Sequence, residues 1–522
     1  MMKRDPSDPR SWFYQAAIHG VQLDPTDAGY KFYKAALARD KNVANVDQKF
    51  WNQCPHNGAH SADFLPWHRA YTFHFEQILR EHTGESDFAL PYWNYELKTN
   101  RKFPELYGRE HLDRNAENQA PENINPLFMK ERDFYLTYYE HSLIKNMPLL
   151  ELTDDVVDSS ISLATDVFFG ETESLGLGGA VVEGDTDRST RGLLESRPHD
   201  HIHRVVGGVL PATIIVTECS TCSRCIDCKD GTKCTHCMEC KECKDTEVSA
   251  TGAMATPPTA GFDPIFSIHH TNIDRLWAEW SCMAGKKWGN MPPATWFQER
   301  PWFFFDAKGN CVNEPRYSYF DYKKLGIRFQ NEKSGCTPLA LPDFTVASVA
   351  SAGTSHVHRK APEQVAANEA AIVIGTTRRT ILALPADVRK SLSAPMAAVR
   401  EQSRSQPPRR RMLLRITLAA LDKLPTVGFD VYVTTNADAE LRRPSSSFVG
   451  SVHLFVHAHH GSPVTQDFDI TRAVGDIDAR NLSAANVVFV PFALTQATGT
   501  GVPNLQSEPL RIRGYEFLTV EQ

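Results

Sequence analysis

Apolar residues recur at helical spacing through the first part of the chain and at strand spacing through the last. In Phe64–Arg80, residues Trp67, Tyr71, Phe75 and Ile78 fall three or four apart, which is one face of a helix. Pro66 suits the first turn of that helix. Ser267–Trp280 repeats the pattern with Ile268, Ile273, Leu276, Trp277 and Trp280. From Trp12 to about Trp302 the sequence therefore reads as mainly helical. After about residue 340 the runs shorten: Ala370–Ile374, Leu413–Leu418, Phe429–Val433 and Val487–Val490, separated by turn-rich segments such as Pro444–Ser447 and Thr498–Gly501. Short strands with turn punctuation predict an antiparallel sandwich. The expected fold is a mainly α helical-bundle domain over 1–345 followed by an all-β sandwich over 346–522. Residues 391–411 read as a mobile loop inside the second domain.

A chain of 522 residues suits two or three domains better than one. Its net charge of −7 is spread without long single-sign runs, so no nucleic-acid footprint is expected. The one basic cluster, Arg409–Arg411, follows two prolines and reads as a solvated loop. No apolar run approaches the roughly 20 residues that span a bilayer. Met1–Pro6 carries no secretory pattern, so the expected location is cytoplasmic and the expected partners are small molecules. Whether the chain acts alone or as a homo-oligomer stays open at this stage.

Of 12 cysteines, eight fall between Cys219 and Cys243, inside an insertion over 217–245, while Cys54, Cys282, Cys311 and Cys336 are scattered. Cys219, Cys222, Cys225 and Cys228 form one C-x2-C-x2-C-x2-C run; Cys234, Cys237, Cys240 and Cys243 form a second. If each run folds as a tight turn, its sulfurs converge on one ion, and tetrahedral zinc, copper(I) and an iron–sulfur cluster are the candidates. Copper(I) held for delivery to a nearby site and structural zinc are the two leading readings; disulfides, or disorder without metal, are the third.

Three stretches concentrate histidines among aromatic residues: Pro198–His203, Asp263–Trp277, and Trp51–His56 through Trp67–Arg69. His199 and His203 are four apart and share one face of a helix. No bridging carboxylate accompanies the set, which points away from di-iron or hydrolytic zinc chemistry. Imidazole donors suit zinc, copper, iron or nickel, and two three-histidine sites suit a dicopper centre best.

Four motifs then carry a resemblance. Phe-Leu-Pro-Trp-His-Arg at 64–69, Leu-Pro-Tyr-Trp-Asn-Tyr at 90–95, Pro-His-x3-His at 198–203 and Asp-Pro-Ile-Phe-x2-His-His-x-Asn-x-Asp-Arg-Leu-Trp at 263–277 resemble the tyrosinase and polyphenol oxidase family, over roughly residues 10–300. The resemblance implies a helical domain holding two copper ions, three histidines to each, with dioxygen as co-substrate. It implies ortho-hydroxylation of monophenols and oxidation of o-diphenols to o-quinones. Alternatives within the same ligand pattern are a catechol oxidase without the hydroxylase step and a haemocyanin-like oxygen carrier.

Carried over residue by residue, the resemblance gives His199, His203 and His270 to the second copper, leaving His269 to packing or an outer contact and turning His201 away. Ala16–Gly20 is similar to the segment of the first ligand, which makes His19 the candidate, and His68 is the third ligand of the first copper. The family's middle ligand stands nine residues before the position of His68, here Ala59; His60 stands eight before it and His56 twelve. Deleting Gly58–His60 restores the spacing, so His56 is favoured, with His60 as the alternative. Cys54-Pro55-His56 resembles the Cys-x-His in which the cysteine forms a thioether with this histidine; a plain buried thiol is the other reading of Cys54.

The resemblance also assigns chemistry around the metals. Glu195 matches the carboxylate that holds a water near the copper, and Asp200 stands where an asparagine often polarises that water. Together they form a general-base relay for a phenol, whose ordinary pKa is about 10. Asp274, one helical turn after His270, is expected to fix a ligand ring. Pro257 occupies the position of a bulky aromatic in some relatives and implies an open entrance. The strand-rich region resembles the C-terminal sandwich of longer members, which covers the copper entrance and keeps the enzyme latent. The histidines of Val452–His460 read as exposed strand residues.

Overall fold

The computed structural model describes the chain except residues 2–4, 23–47, 56–60, 110, 113–122, 130–131, 133–150, 171–175, 182–190, 208–213, 230–232, 249–251, 331, 333, 343, 345–362, 369–371, 376–378, 384–385, 387–389, 391, 393–394, 396–409, 420–426, 437–440, 442–444, 453–463, 477–484, 494–508 and 522. Over 214–248 it describes the backbone. The expected boundary at 345/346, most of the expected loop 391–411, His453–His460 and both candidates for the middle ligand, His56 and His60, lie outside the described residues.

Four helices bear the histidine motifs. Helix α1 (Trp12–Gly20) starts where the Ser11 hydroxyl accepts the Tyr14 N–H, satisfying one of the donors a helix start leaves over. Helix α2 (Phe64–Thr83) has Pro66 in its first turn, as its sequence predicts, and ends at Gly84 with φ 73°, a left-handed conformation that costs glycine little. Helix α3 (Asp200–Gly207) continues from a π-helical turn, Glu195–His199, that is interrupted by the extended backbone of Arg197. Helix α4 (Ile265–Ser281) begins under Asp263, which accepts from the Ile265 N–H and is gripped by both Nε and a terminal nitrogen of Arg132 at 2.6 and 2.7 Å.

Trp67, Ala70, Tyr71, Ile202, Val206, Ile265 and Phe266 share one core cluster. A second gathers Phe168, Phe169, Trp277, Trp280, Trp288, Phe297 and Phe320. Burial of each such side chain stabilises by about 2 kcal/mol. Beside the second cluster Cys282 and Cys336 are joined by a disulfide, Cα atoms 5.4 Å apart. Both belong to the four cysteines that looked merely scattered, because 54 residues separate them in the chain.

Between α3 and α4 a hairpin of two long strands, β1 (Ile214–Lys229) and β2 (Lys233–Val248), carries the cysteine runs. The backbone there is extended, so the tight turns expected within each run do not form.

The C-terminal part contains β3 (Glu363–Asn368), β4 (Ile372–Ile374), β5 (Thr380–Ala383), β6 (Arg410–Leu418), β7 (Val427–Thr434), β8 (Phe448–Val452), β9 (Val464–Asp469), β10 (Asn486–Ala493) and β11 (Leu510–Glu521). One antiparallel sheet runs β9-β6-β11-β3, with β4 also on β11; the other runs β8-β7-β10-β5. Residues of both sheets, among them Leu414, Ile416, Val431, Phe489 and Phe517, meet in one core. Arg410 and Arg411, expected in a solvated loop, instead open β6 opposite Glu521 and Val520. The strand that pairs them lies a hundred residues further along, beyond the reach of a local reading.

The sheets meet the helical part at the turn before α3. Arg197 donates to Asp430 of β7 at 3.2 Å and to the Ser451 hydroxyl of β8 at 2.7 Å. Phe492 of β10 packs on the helical core, its ring 5.1 Å from that of His201.

Candidate metal centre

Helices α1, α2, α3 and α4, with the π-helical turn that leads into α3 and ends at His199, bring His19, His68, His199, His203, His269 and His270 into one buried group. The donor atoms of His199, His203, His269 and His270 lie within 4.8 Å of one another, and so do those of His19, Cys54 and His68. The rings of His68 and His270 stack at 4.1 Å, so the two donor groups adjoin. A pair of metal ions, one per group, would be neighbours.

Ring orientation follows from what each Nδ1 touches. His68 Nδ1 bonds the Phe64 carbonyl at 2.8 Å, one turn back on α2. His203 Nδ1 bonds the Met254 carbonyl at 2.9 Å and His19 Nδ1 the Pro257 carbonyl at 3.0 Å. His199 Nδ1 bonds the Asp200 carboxylate at 2.9 Å. Carbonyls and carboxylates accept, so Nδ1 carries the proton and Nε2 is the donor left for a metal. Burial pushes His68 and His203 down to about 3 and holds His269 and His270 well below the ordinary histidine value. These rings are neutral, as metal ligands must be.

The residues fit copper. Nε2 of His269 and Nδ1 of His270 are buried without a hydrogen-bond partner among the described residues, and such atoms are what a bound ion satisfies. A set of imidazoles with one cysteine sulfur and no bridging carboxylate matches copper in either oxidation state. Cys54 Sγ stands 3.3 Å from Nε2 of His68, on the donor side of that ring. The thioether expected between Cys54 and His56 lies outside the described residues.

Of the expected ligands, His19, His68, His199, His203 and His270 come together. His269, expected to pack outside, also points a donor atom into the second group; its Nδ1 is 3.4 Å from the Tyr95 hydroxyl. His201 turns away toward Phe492, as its spacing predicts. Two expectations are corrected. Asp274 fixes no ligand ring among the described residues: it accepts from Nε of Arg69 at 2.6 Å, and the same guanidinium lies 3.5 Å over the Trp277 ring. The adjacent Arg69 on α2 is the stronger partner for a buried carboxylate, so the pair clamps α2 to α4, the helices of His68 and His270. Pro257, expected at the entrance, is instead buried, and its carbonyl accepts from His19.

Glu195 and Asp200 flank His199 and are both buried. Arg191, which the motifs do not cover, reaches Glu195 at 3.3 Å and Asp200 at 3.0 Å. Burial raises both carboxyls above the ordinary range, Arg191 pulls them back, and the neighbouring Asp200 charge raises Glu195 further. Arg191 stands four residues before Glu195, the helical pairing distance, which is the one signal that could have found it.

The chain matches the family model described as the common central domain of tyrosinase over residues 9–283. It is 29% identical to tyrosinase HcTyr1 of Hahella sp. (strain CCB-MM4) over 318 residues, covering 60% of this chain and 54% of that protein. It is 23% identical to polyphenol oxidase B, chloroplastic, of Solanum lycopersicum over 439 residues, covering 82% and 63% respectively. The chain thus spans less than two thirds of the length of these curated relatives. Among solved structures, recombinantly expressed latent aurone synthase (polyphenol oxidase) shares the fold, with a TM-score of 0.52 and 17% identity over 100% of this chain and 84% of that one. The family model covers more than half of the sequence and spans all the helices that carry the histidine group: the chain belongs to the tyrosinase family.

Proposed function

We propose that the chain is a dicopper phenol oxidase that hydroxylates monophenols at the ortho position and oxidises o-diphenols to o-quinones. The observation that carries this reading is the buried histidine group beside the Arg191–Glu195–Asp200 cluster. Copper, when bound, supplies the electron exchange with dioxygen. His19 and His68 would hold one ion; His199, His203 and His270 would hold the other.

The rest is done by the chain's own residues. Carbonyls of Phe64, Met254 and Pro257 set three of the rings before any metal arrives, which limits reorganisation when the ions change charge. The histidines and the two carboxyls are buried, so charges among them act at low dielectric. A phenol must give up a proton before it can be hydroxylated. Glu195 and Asp200, held above the ordinary carboxylate range, are matched to that task near neutral pH, Glu195 through a water as in the resemblance and Asp200 by keeping the His199 N–H oriented. Arg191 compensates the negative charge the pair carries once it has lost a proton. The C-terminal sheets, seated on the turn before His199 through Arg197 and Phe492, would restrict access and keep the enzyme latent.

The test is to load the full chain with copper, supply tyrosine and then a catechol, and follow quinone absorbance before and after limited proteolysis. Quinone from both substrates supports the reading. Quinone from the catechol alone makes the chain a catechol oxidase. None from either after the sheets are cut away makes it an oxygen carrier.

A further inference from the structure

The cysteine hairpin leaves α3 at Gly207 and returns at Gly252, whose N–H donates to the Gly207 carbonyl at 2.9 Å. A Cβ on Gly207 would meet the Ala255 nitrogen at 2.1 Å, and one on Gly252 the Gly207 oxygen at 2.1 Å. The excursion therefore starts and ends at one pinched point. From there β1 and β2 pair antiparallel from Ile214 opposite Val248 to Lys229 opposite Lys233. This register sets Cys219 opposite Cys243, Cys222 opposite Cys240, Cys225 opposite Cys237 and Cys228 opposite Cys234. All eight cysteines are matched, each to its mirror image about the turn.

That register decides between quartets and pairs. A strand rises about 3.3 Å per residue and alternates faces, so neighbouring cysteines of one run fall on opposite faces about 10 Å apart. Cysteines on the same face stand about 20 Å apart along the strand. An extended run cannot gather four sulfurs on one ion. Facing positions of an antiparallel ladder have Cα atoms about 4.5–5.5 Å apart, inside the roughly 4.4–6.8 Å that a disulfide spans. Cys282 and Cys336, which lie on no ladder, close at a Cα separation of 5.4 Å, inside the same range.

We propose that the hairpin is a ladder of four redox-active dithiol pairs, each closing to a cross-strand disulfide by exchange with a low-molecular-weight disulfide. One thiolate attacks the small disulfide, forming a mixed disulfide and releasing one small thiol. Its facing partner then displaces the second. Two cysteine thiols are oxidised, the small disulfide is reduced to two thiols, and those thiols take up the two protons. The step uses no copper and no phenol, so it stands or falls apart from the proposed oxidase activity.

The full chain, reduced and freed of reductant, is equilibrated in glutathione buffers of rising disulfide content. Remaining thiols are alkylated, and peptides are mapped by mass spectrometry without reduction. Four nested links, 219–243, 222–240, 225–237 and 228–234, should appear, each pair losing two hydrogens, while the exposed Cys311 is the control, found either alkylated or carrying one glutathione and never in an internal link. Cys222→Ser should free Cys240 and leave the other three links intact. Links within one run, scrambled links or no closure at any buffer ratio overturn the ladder. So does zinc that stays bound to the reduced chain at four thiols per ion after desalting; failure to retain it supports pairing.

Discussion

Arg197 and Asp430 form an ion pair at 3.2 Å with both side chains 5% exposed, and it joins the turn before His199 to the C-terminal sheets. Ser451 completes it by donating to Asp430 at 2.7 Å. Asp430→Asn should remove a carboxylate that faces the buried Arg197 charge, a loss of about 3–5 kcal/mol seen as a lower urea midpoint. It should also loosen the sheets, so that catechol oxidation by the uncut chain rises toward the level reached after proteolysis. A variant that is destabilised but shows the same gain on proteolysis would mean that this pair holds the fold without governing access.

The pH dependence of monophenol hydroxylation should report the Glu195–Asp200 pair. Burial raises both carboxyls, so the deprotonated form needed for general-base work becomes available only above the ordinary carboxylate range, and the rate should climb there. Arg191 lowers both. Arg191→Gln should therefore move the climb to higher pH, and Arg191→Lys should largely restore it. Stability follows the same sign: a carboxyl raised on folding contributes below its unfolded value and loses that contribution as pH rises through the folded one. Arg191→Gln should accordingly be weakest at alkaline pH. Monophenol and catechol kcat/KM profiles, measured together, separate this from a structural effect, since catechol oxidation should shift less.

Much of this was legible in the sequence because ligand geometry and helical spacing coincide. His199 and His203 lie one turn apart, and the motifs around His68 and His270 fix their helices. The strands of the C-terminal part announced themselves by short apolar runs. What could not be read was anything set by contact between distant segments. Arg69 pairs with Asp274 across 205 residues, the carbonyl of Pro257 serves His19 across 238, and Arg410 meets Glu521 in register. The cysteine repeat looked like a chelating turn because spacing carries no register; only the paired backbone shows that each cysteine faces another.

His269 and His270 both send donor atoms into the second group, and copper content distinguishes them. His270→Ala should reduce bound copper from two ions per chain to about one. His269→Ala should keep both ions if His270 is the ligand and His269 only supports it through Tyr95. The opposite result would exchange their roles. Either outcome is read by metal analysis after removal of loosely held ions, in a chain whose eight hairpin cysteines are replaced by serine so that thiol-bound copper does not enter the count and Cys54 stays unmodified.

The clamp between Arg69 and Asp274 separates two explanations for a carboxylate one turn from a ligand. If Asp274 oriented His270 directly, losing it would weaken copper binding whatever stood at position 69. In the structure it instead neutralises Arg69, both side chains being at most 6% exposed, so Asp274→Ala strands a buried guanidinium and should cost about 3–5 kcal/mol. Replacing both, as Arg69→Met with Asp274→Ala, removes the charge along with its partner and should recover most of that stability. Copper affinity should follow stability: lowered in Asp274→Ala, where α2 and α4 lose their register, and largely regained in the double variant. A double variant that regains its unfolding midpoint yet holds copper no better than Asp274→Ala would return Asp274 to the role of orienting the His270 ring.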